Sequence, residues 1–204
     1  MTGDDEDLEL AWPGGTNRVR IVLFTRWPEA GRAKTRLIPA LGPAGAAALH
    51  RRLTERTMTT CRASGIQIEV RCTGAPVADF ASWLGDDVAF VDQGEGDLGA
   101  RLARAAAICP LLLVGADIPD LSAAHLRQAA KALARAPVVI GPAEDGGYWL
   151  LGLAAPQPAL FADIEWGSES VYAATVARLA APPVVLDTLA DLDRPEDLAR
   201  WPGL

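Results

Sequence analysis

Cysteine, histidine and methionine are all scarce in this chain: three, two and two among 204 residues. The cysteines, Cys61, Cys72 and Cys109, are scattered, and no Cys-x-x-Cys occurs. That argues against a disulfide framework or a zinc ribbon and for a reducing, cytoplasmic compartment. His50 and His125 both fall on stretches that read as exposed helix. Neither suggests a metal ligand, and no Ser/His/Asp nucleophile constellation emerges. Positive charge is also short. Lys and Arg number 19 against 26 Asp and Glu, a net charge of −7. A nucleic-acid binder needs a basic face that displaces counterions. No apolar run approaches the roughly 18 residues of a membrane span, and no basic segment followed by an apolar one opens the chain. Neither nucleic acid nor membrane is therefore expected as a partner.

What is present is a core of ordinary size. Half the residues are hydrophobic and 22% are charged, as in globular domains. The first residues are acidic (Asp4, Asp5, Glu6, Asp7, Glu9) and are followed by Pro13, Gly14 and Gly15. Residues 1–17 read as a solvated, disordered leader, and 18–204 as one domain. In that domain apolar runs alternate with helical patterns. Strands are expected at 19–25, 66–72, 88–91, 111–114, 138–140, 148–153 and 184–186. Helices are expected at 44–63, 77–84, 98–108, 122–134 and 168–179, the last capped by Ser168, with a terminal helix opened by Pro195. The alternation predicts an α/β fold, a three-layer α/β/α sandwich with a mostly parallel, Rossmann-like sheet. Gly146-Gly147 between closely spaced strands suggests one antiparallel excursion.

Five segments carry chemistry. Gly115-Ala116-Asp117-Ile118-Pro119 follows the buried run Leu111–Val114 and delivers one carboxylate to a strand's carboxyl end. Ligands of open α/β sheets bind there, and an acid on rigid backbone suits a divalent metal bridging to phosphate. The loop after the first strand holds Arg26, Arg32, Lys34 and Arg36, shaped by Pro28 and Gly31. These cations form an anion cradle, although Ala33 before Lys34 breaks any Walker A pattern. Gly94-Glu95-Gly96-Asp97-Leu98-Gly99 spells a dinucleotide fingerprint, but Glu95 and Asp97 would set carboxylates beside a pyrophosphate. It reads better as a turn closing over a base or ribose, with Asp97 as helix cap and Arg101 as its partner. In Glu144-Asp145-Gly146-Gly147-Tyr148-Trp149, two acids precede a turn whose aromatics could line a sugar-like acceptor. Asp191 and Asp193 alternate in an extended segment, which would point both to one face to complete a metal site with Asp117.

In this order the segments resemble the GT-A-type nucleotide-diphospho-sugar transferases. More closely they resemble a bacterial family of unknown function labelled glycosyltransferase and associated with arsenosugar biosynthesis. The matching residues include Phe24-Thr25-Arg26-Trp27-Pro28, Lys34-Thr35-Arg36-Leu37, Gln93, Gly96-Asp97-Leu98-Gly99, Gly115–Pro119, Gly141–Tyr148, Glu165-Trp166-Gly167-Ser168 and Asp191–Asp193 with Pro195-Glu196-Asp197. The guanylyltransferases of molybdopterin and phospholactate metabolism share the basic loop, the Asp-x-Pro acid and the Pro-Glu-Asp tail. The resemblance implies a metal-dependent transferase using a nucleotide-activated sugar donor and a small-molecule acceptor, with Mg²⁺ or Mn²⁺ as cofactor. Arg26, Gly31, Arg32, Lys34, Arg36, Gln93, Gly96, Leu98 and Gly99 would bind nucleotide and phosphate. Asp117, Asp191 and Asp193 would hold the metal. Asp117, Lys34 and Glu144 or Asp145 would serve catalysis, and Gly146, Gly147, Tyr148 and Trp166 the acceptor. Many GT-A enzymes carry Asp-x-Asp at the metal strand, whereas a single acid, Asp117, precedes the proline here. Nucleotidyl transfer from a triphosphate is the alternative, and a non-catalytic nucleotide-binding protein a third reading.

Overall fold

A computed structural model describes residues 18–204. The acidic leader expected at residues 1–17 lies outside the described residues. The chain runs β1 (Arg20–Arg26), α1 (Ile38–Ala63), β2 (Gln67–Thr73), α2 (Val77–Leu84), β3 (Ala89–Asp92), α3 (Leu98–Ala105), β4 (Leu111–Val114), α4 (Ala123–Leu133), β5 (Val138–Pro142), β6 (Tyr148–Leu153), α5 (Val171–Val176) and β7 (Val184–Val185). Short 3₁₀ turns occupy Thr35–Leu37, Pro158–Phe161 and Pro195–Arg200.

The strands form one seven-stranded sheet in the order β3-β2-β1-β4-β6-β5-β7. β1 pairs in parallel with β2 and β4, β2 with β3, and β5 with β7. β6 alone runs antiparallel, against both β4 and β5. Both faces of the central strands are covered, which their continuous apolar runs require. Ile21, Leu23 and Leu112 pack with Met58 of α1, Phe80 of α2 and Leu126 of α4. Val22, Leu111 and Leu113 face the other way, toward Leu102 of α3 and Phe161. The period-two alternation of the strands therefore produces the expected three layers.

Helix boundaries differ from the sequence expectation at several places: α3 ends at Ala105 rather than at residue 108, and the segment opened by Pro195 is a 3₁₀ turn. α1 starts at Ile38 because Gly42, at φ 69°, and Pro43 bend the helical run without ending it. α5 covers only Val171–Val176, and Ser168 does not cap it. The Ser168 hydroxyl instead donates to Glu165 O (2.8 Å) and sits 2.7 Å from the Ser170 hydroxyl, so it closes a local turn.

This topology gathers the functional segments at one edge. Strand order reverses between β1 and β4, and open α/β sheets leave a crevice at such a switch point. Antiparallel β6 starts where β4 ends, with Leu150 opposite Val114. The Glu144–Gly147 turn before it therefore joins the same edge. After β7 the chain crosses that edge: Glu144 N donates to Leu189 O (3.1 Å) and Leu192 N to Asp117 O (2.9 Å). These backbone bonds bring Asp191 and Asp193 alongside the end of β4.

Candidate active site at the carboxyl edge of the sheet

Lys34 stands at the centre of this edge. Its backbone is left-handed, at φ 46°, a conformation that costs a non-glycine residue ~1–2 kcal/mol. That turn points the side chain inward, where only 6% of it is exposed. Nζ lies 3.2 Å from Asp193 Oδ1 and 3.5 Å from Asp117 Oδ2. Burial works to lower the Lys34 pKa, but Asp117, Asp193 and Asp191 outweigh it and hold the ammonium above the ordinary lysine value. Asp193 also accepts a 2.5 Å bond from Arg36. Burial alone would raise its pKa, yet Lys34 and Arg36 keep the carboxyl below the usual aspartate value.

The two late aspartates thus part company. Asp193 is paired with Lys34 and Arg36. Asp191 has no cation at contact distance. Burial, then the charges of Asp145 and Asp117, push it up to about 6. The Pro-Glu-Asp tail supports the arrangement: Asp197 Oδ2 accepts from the backbone N–H of Asp193 (3.0 Å) and Arg194 (2.7 Å). Sequence reading placed no functional role on Asp197, although its spacing from Arg194 is that of a helix-start cap.

Around Lys34 opens a cavity of about 690 Å³, with Arg26, Arg32, Arg36 and Arg101 also on its wall. Five cations thus face two carboxylates, Asp117 and Asp193. His50 lines it as well, which corrects its expected exposure: it is 7% exposed. Its Nε2–H donates to Arg26 O (3.1 Å), and Thr54 Oγ1, 3.1 Å from Thr25 Oγ1, donates back to His50 O. This network fastens the end of β1 to α1. Burial lowers the His50 pKa, with Lys34 and Arg26 adding to that effect.

The glycine-rich turn behaves differently from its nucleotide-binding expectation at two positions. Gln93 is 5% exposed, and its amide donates to Thr25 O (2.9 Å) and Arg71 O (3.0 Å). It braces the cavity floor rather than presenting donors to a ligand. Gly99 is buried at a helix crossing. A Cβ there would stand 2.5 Å from Phe161 O and 2.8 Å from Trp166 Nε1, so glycine is needed for packing. Leu98 borders the cavity, and Gly31 and Gly96 hold turns at φ 82° and 99°. Asp97 caps α3 through Ala100 N (2.8 Å), but Arg101 donates to Gly96 O (2.9 Å) rather than pairing with it.

A second cavity, about 220 Å³, adjoins the first and shares Phe24, Leu98, Gly115 and Asp117 with it. Asp145 and Asp191 stand on its wall with Gly147, Tyr148 and Trp166. The Glu144 side chain points elsewhere, to Arg200 (2.5 and 3.1 Å). That bond holds its carboxyl below the ordinary glutamate pKa. Asp145 accepts a bond from Gly147 N (2.9 Å) and, among the described residues, pairs with no cation. Trp149 also lines this cavity. It is 2% exposed and donates to Asp187 O (3.0 Å), a core role. Tyr148 contributes its ring, while burial raises its hydroxyl pKa and Thr175 is the group that offsets this. Gly146, at φ 87°, packs on the Glu169 backbone, where a Cβ would come within 2.2 Å.

A further cavity, about 830 Å³, lies at the opposite edge, where Arg62 and Asp87 pair with each other at 2.5 Å. Among the described residues, no three His, Cys, Asp or Glu side chains form a ready metal cage. None of the described helices is long and apolar enough to cross a membrane.

Sheet order and the basic and acidic groups at its carboxyl edge define the nucleotide-diphospho-sugar transferase fold, which is shared with related nucleotidyltransferases. Residues 57–168 match a bacterial family described as an uncharacterized protein conserved in bacteria (DUF2064), and the chain belongs to that family. A protein from Desulfovibrio desulfuricans G20, assigned as a nucleotide-diphospho-sugar transferase, superposes with TM-score 0.81 at 28% identity, covering 88% of this chain and 84% of its own. Glucosyl-3-phosphoglycerate synthase from Mycobacterium tuberculosis, solved with Mn²⁺, UDP and glucosyl-3-phosphoglycerate, gives TM-score 0.55 at 12% identity over 92% and 80%. The 4-diphosphocytidyl-2C-methyl-D-erythritol synthase of Anaerococcus prevotii DSM 20548 gives 0.55 at 11% over 90% and 94%. At those identities the last two show a shared fold. No curated protein matches the chain.

Proposed function

We propose that this protein is a metal-dependent transferase that moves a group from a nucleotide-activated sugar to a small-molecule acceptor, within one domain spanning 18–204. One observation carries the reading. Buried Lys34 and the acid Asp117 meet where a cationic cavity adjoins a second, acid-lined cavity. The first suits a diphosphate, the second an acceptor, and the shared acid stands between them.

The chain's residues divide the work. Arg26, Arg32, Arg36 and Arg101 attract the donor's phosphates, and the His50 network fixes the strand end beneath them. Lys34 is held charged and ready to offset negative charge that builds on the leaving diphosphate. Asp145, with no cationic partner among the described residues, takes the proton from an acceptor hydroxyl presented in the second cavity. Asp117 and Asp191 would hold Mg²⁺ or Mn²⁺. The residues fit such an ion: Asp117, Asp145 and Asp191 line one cavity, where burial, then the charges of Asp145 and Asp117, raise Asp191. Two carboxylates without a full protein cage match the way Mg²⁺ is shared with substrate phosphates. When bound, the ion supplies Lewis-acid stabilisation of the diphosphate. The manganese in the glucosyl-3-phosphoglycerate synthase complex agrees with this.

A second reading, nucleotidyl transfer with release of pyrophosphate, has its own support. Five cations against two carboxylates is more positive charge than a diphosphate sugar needs. Thermal shift against nucleoside triphosphates, nucleotide sugars and NAD, each with and without Mn²⁺, separates the two. A ligand at about a hundred times its Kd adds ~2.7 kcal/mol. A metal-dependent shift with one nucleotide sugar supports glycosyl transfer, and a preference for triphosphates moves the reading to nucleotidyl transfer. No shift with any ligand removes both.

A further inference from the structure

We infer that Lys34 trades partners between Asp117 and the donor's phosphates; this rests on the transferase reading above. In the ligand-free protein its ammonium pairs with Asp117. A bound nucleotide draws it off and frees Asp117 for the divalent ion, so that the two ligands bind together more tightly than either binds alone. Asp117 has no cationic partner but Lys34 among the described residues, whereas Asp193 has Arg36 as well. The two contacts of Lys34 are also unequal, 3.2 Å to Asp193 Oδ1 and 3.5 Å to Asp117 Oδ2. A strong charge-assisted N–H···O bond settles at about 2.7–2.9 Å, so the Asp117 contact is the looser of the two and is given up first.

The residue type agrees. The chain has two lysines, Lys34 and Lys131, among 19 basic residues, and the other cations on the first cavity's wall are arginines. A guanidinium suits one planar partner, whereas an ammonium on a flexible four-carbon stem can turn its three donors from a carboxylate to a phosphate. The Lys34 backbone stays fixed meanwhile, since its carbonyl accepts from Leu37 N (2.9 Å). The exchange is left to the side chain.

Charge makes the two binding events cooperate. Five cations and two carboxylates line the first cavity, so a lone divalent ion meets a positive field there. The second cavity carries Asp117, Asp145 and Asp191 with no Lys, Arg or His, yet an ion arriving from that side still shares Asp117 with the ammonium. Sharing a carboxylate with an ammonium costs a divalent ion roughly tenfold in affinity even at the dielectric of water. Nucleotide phosphate reverses the field and removes the ammonium at once. By linkage, nucleotide and ion then favour each other by the same factor.

Two measurements on the full chain test this. Carbon NMR of protein labelled at lysine Cε gives one signal each for Lys34 and Lys131. UDP or GDP added without metal should move the Lys34 signal and leave that of Lys131, which is exposed on α4. Calorimetry with Mn²⁺ alone should show Lys34→Met binding the ion at least about fivefold tighter than wild type. Lys34→Arg should bind it no tighter, and adding Asp117→Asn to Lys34→Met should abolish the gain. Arg36→Met, which strips a cation from Asp193 only, should stay within about twofold of wild type. A nucleotide that binds without moving the Lys34 signal overturns the inference and leaves the transferase reading standing. Equal Mn²⁺ affinity in wild type and Lys34→Met, or a gain as large in Arg36→Met, also overturns it. If neither nucleotide binds with or without Mn²⁺, the transferase reading falls and takes the exchange with it.

Discussion

Replacing Lys34 by alanine tests the cradle most searchingly, because its consequences for binding and for stability differ. Two unit charges 4 Å apart interact by ~1 kcal/mol in water and ~4 kcal/mol at an effective dielectric of 20. The cavity is open, so the lower end applies, and each added phosphate should lose about 1–2 kcal/mol of binding when the ammonium is removed. Calorimetry with nucleoside, mono-, di- and triphosphate should therefore show a loss that grows about five- to thirtyfold per phosphate. Stability should fall much less than for a fully buried pair. Asp193 keeps its Arg36 bond at 2.5 Å, and Asp117, 43% exposed, can rehydrate. About 1–2 kcal/mol is expected in urea melts. Alanine inherits the left-handed backbone, whereas Lys34→Gly should recover ~1 kcal/mol of that cost. The pH dependence follows from the raised lysine pKa. Its contribution is complete below the unfolded value near 10.4 and is lost as pH rises through the folded one. An equal loss for nucleoside and triphosphate, or no loss at all, would refute the cradle.

Asp191→Asn should stabilise the ligand-free chain above pH 7 by about 1 kcal/mol, discounted because the group is partly exposed. With a folded pKa near 6, its ionisation opposes folding once pH passes the unfolded value, so melts of variant and wild type should converge by about pH 3.5. Equal melts at both pH values would contradict the burial of Asp191 beside Asp145 and Asp117. Gly146→Ala should cost ~3 kcal/mol in urea melts, since φ 87° and a 2.2 Å approach to Glu169 both oppose a Cβ. Asp145→Asn should slow transfer by about a hundredfold or more at little change in donor Kd, while Glu144→Gln leaves initial rates nearly unchanged. The reverse ranking would return the base to Glu144.

Much of this fold was legible because its central strands are continuous apolar runs bounded by turns. Leu111–Val114 could hardly be anything but a buried strand, and 148–153 was read with its boundaries intact. The loops that carry function announced themselves by charge and glycine. Sequence reading failed where tertiary contacts decide a side chain's direction. Asp191 and Asp193 share a parity that should aim them alike, yet Lys34 and Arg36, distant in sequence, claim one of them. Glu144 and Asp145 are adjacent acids, and only the fold reveals that Arg200 takes the first. His50 looked exposed because its neighbours Arg51 and Arg52 are; the pattern could not show that α1 turns that one face onto the end of β1.

The most direct measurement is nucleotide-sugar binding with and without Mn²⁺ for wild type, Asp117→Asn and Asp193→Asn. Wild type should show a metal-dependent gain in affinity. Asp117→Asn should lose that gain, and Asp193→Asn should keep it while binding more weakly overall, because its carboxylate serves Lys34 and Arg36. A metal gain that survives in Asp117→Asn, or disappears only in Asp193→Asn, would contradict the site as assembled around Asp117.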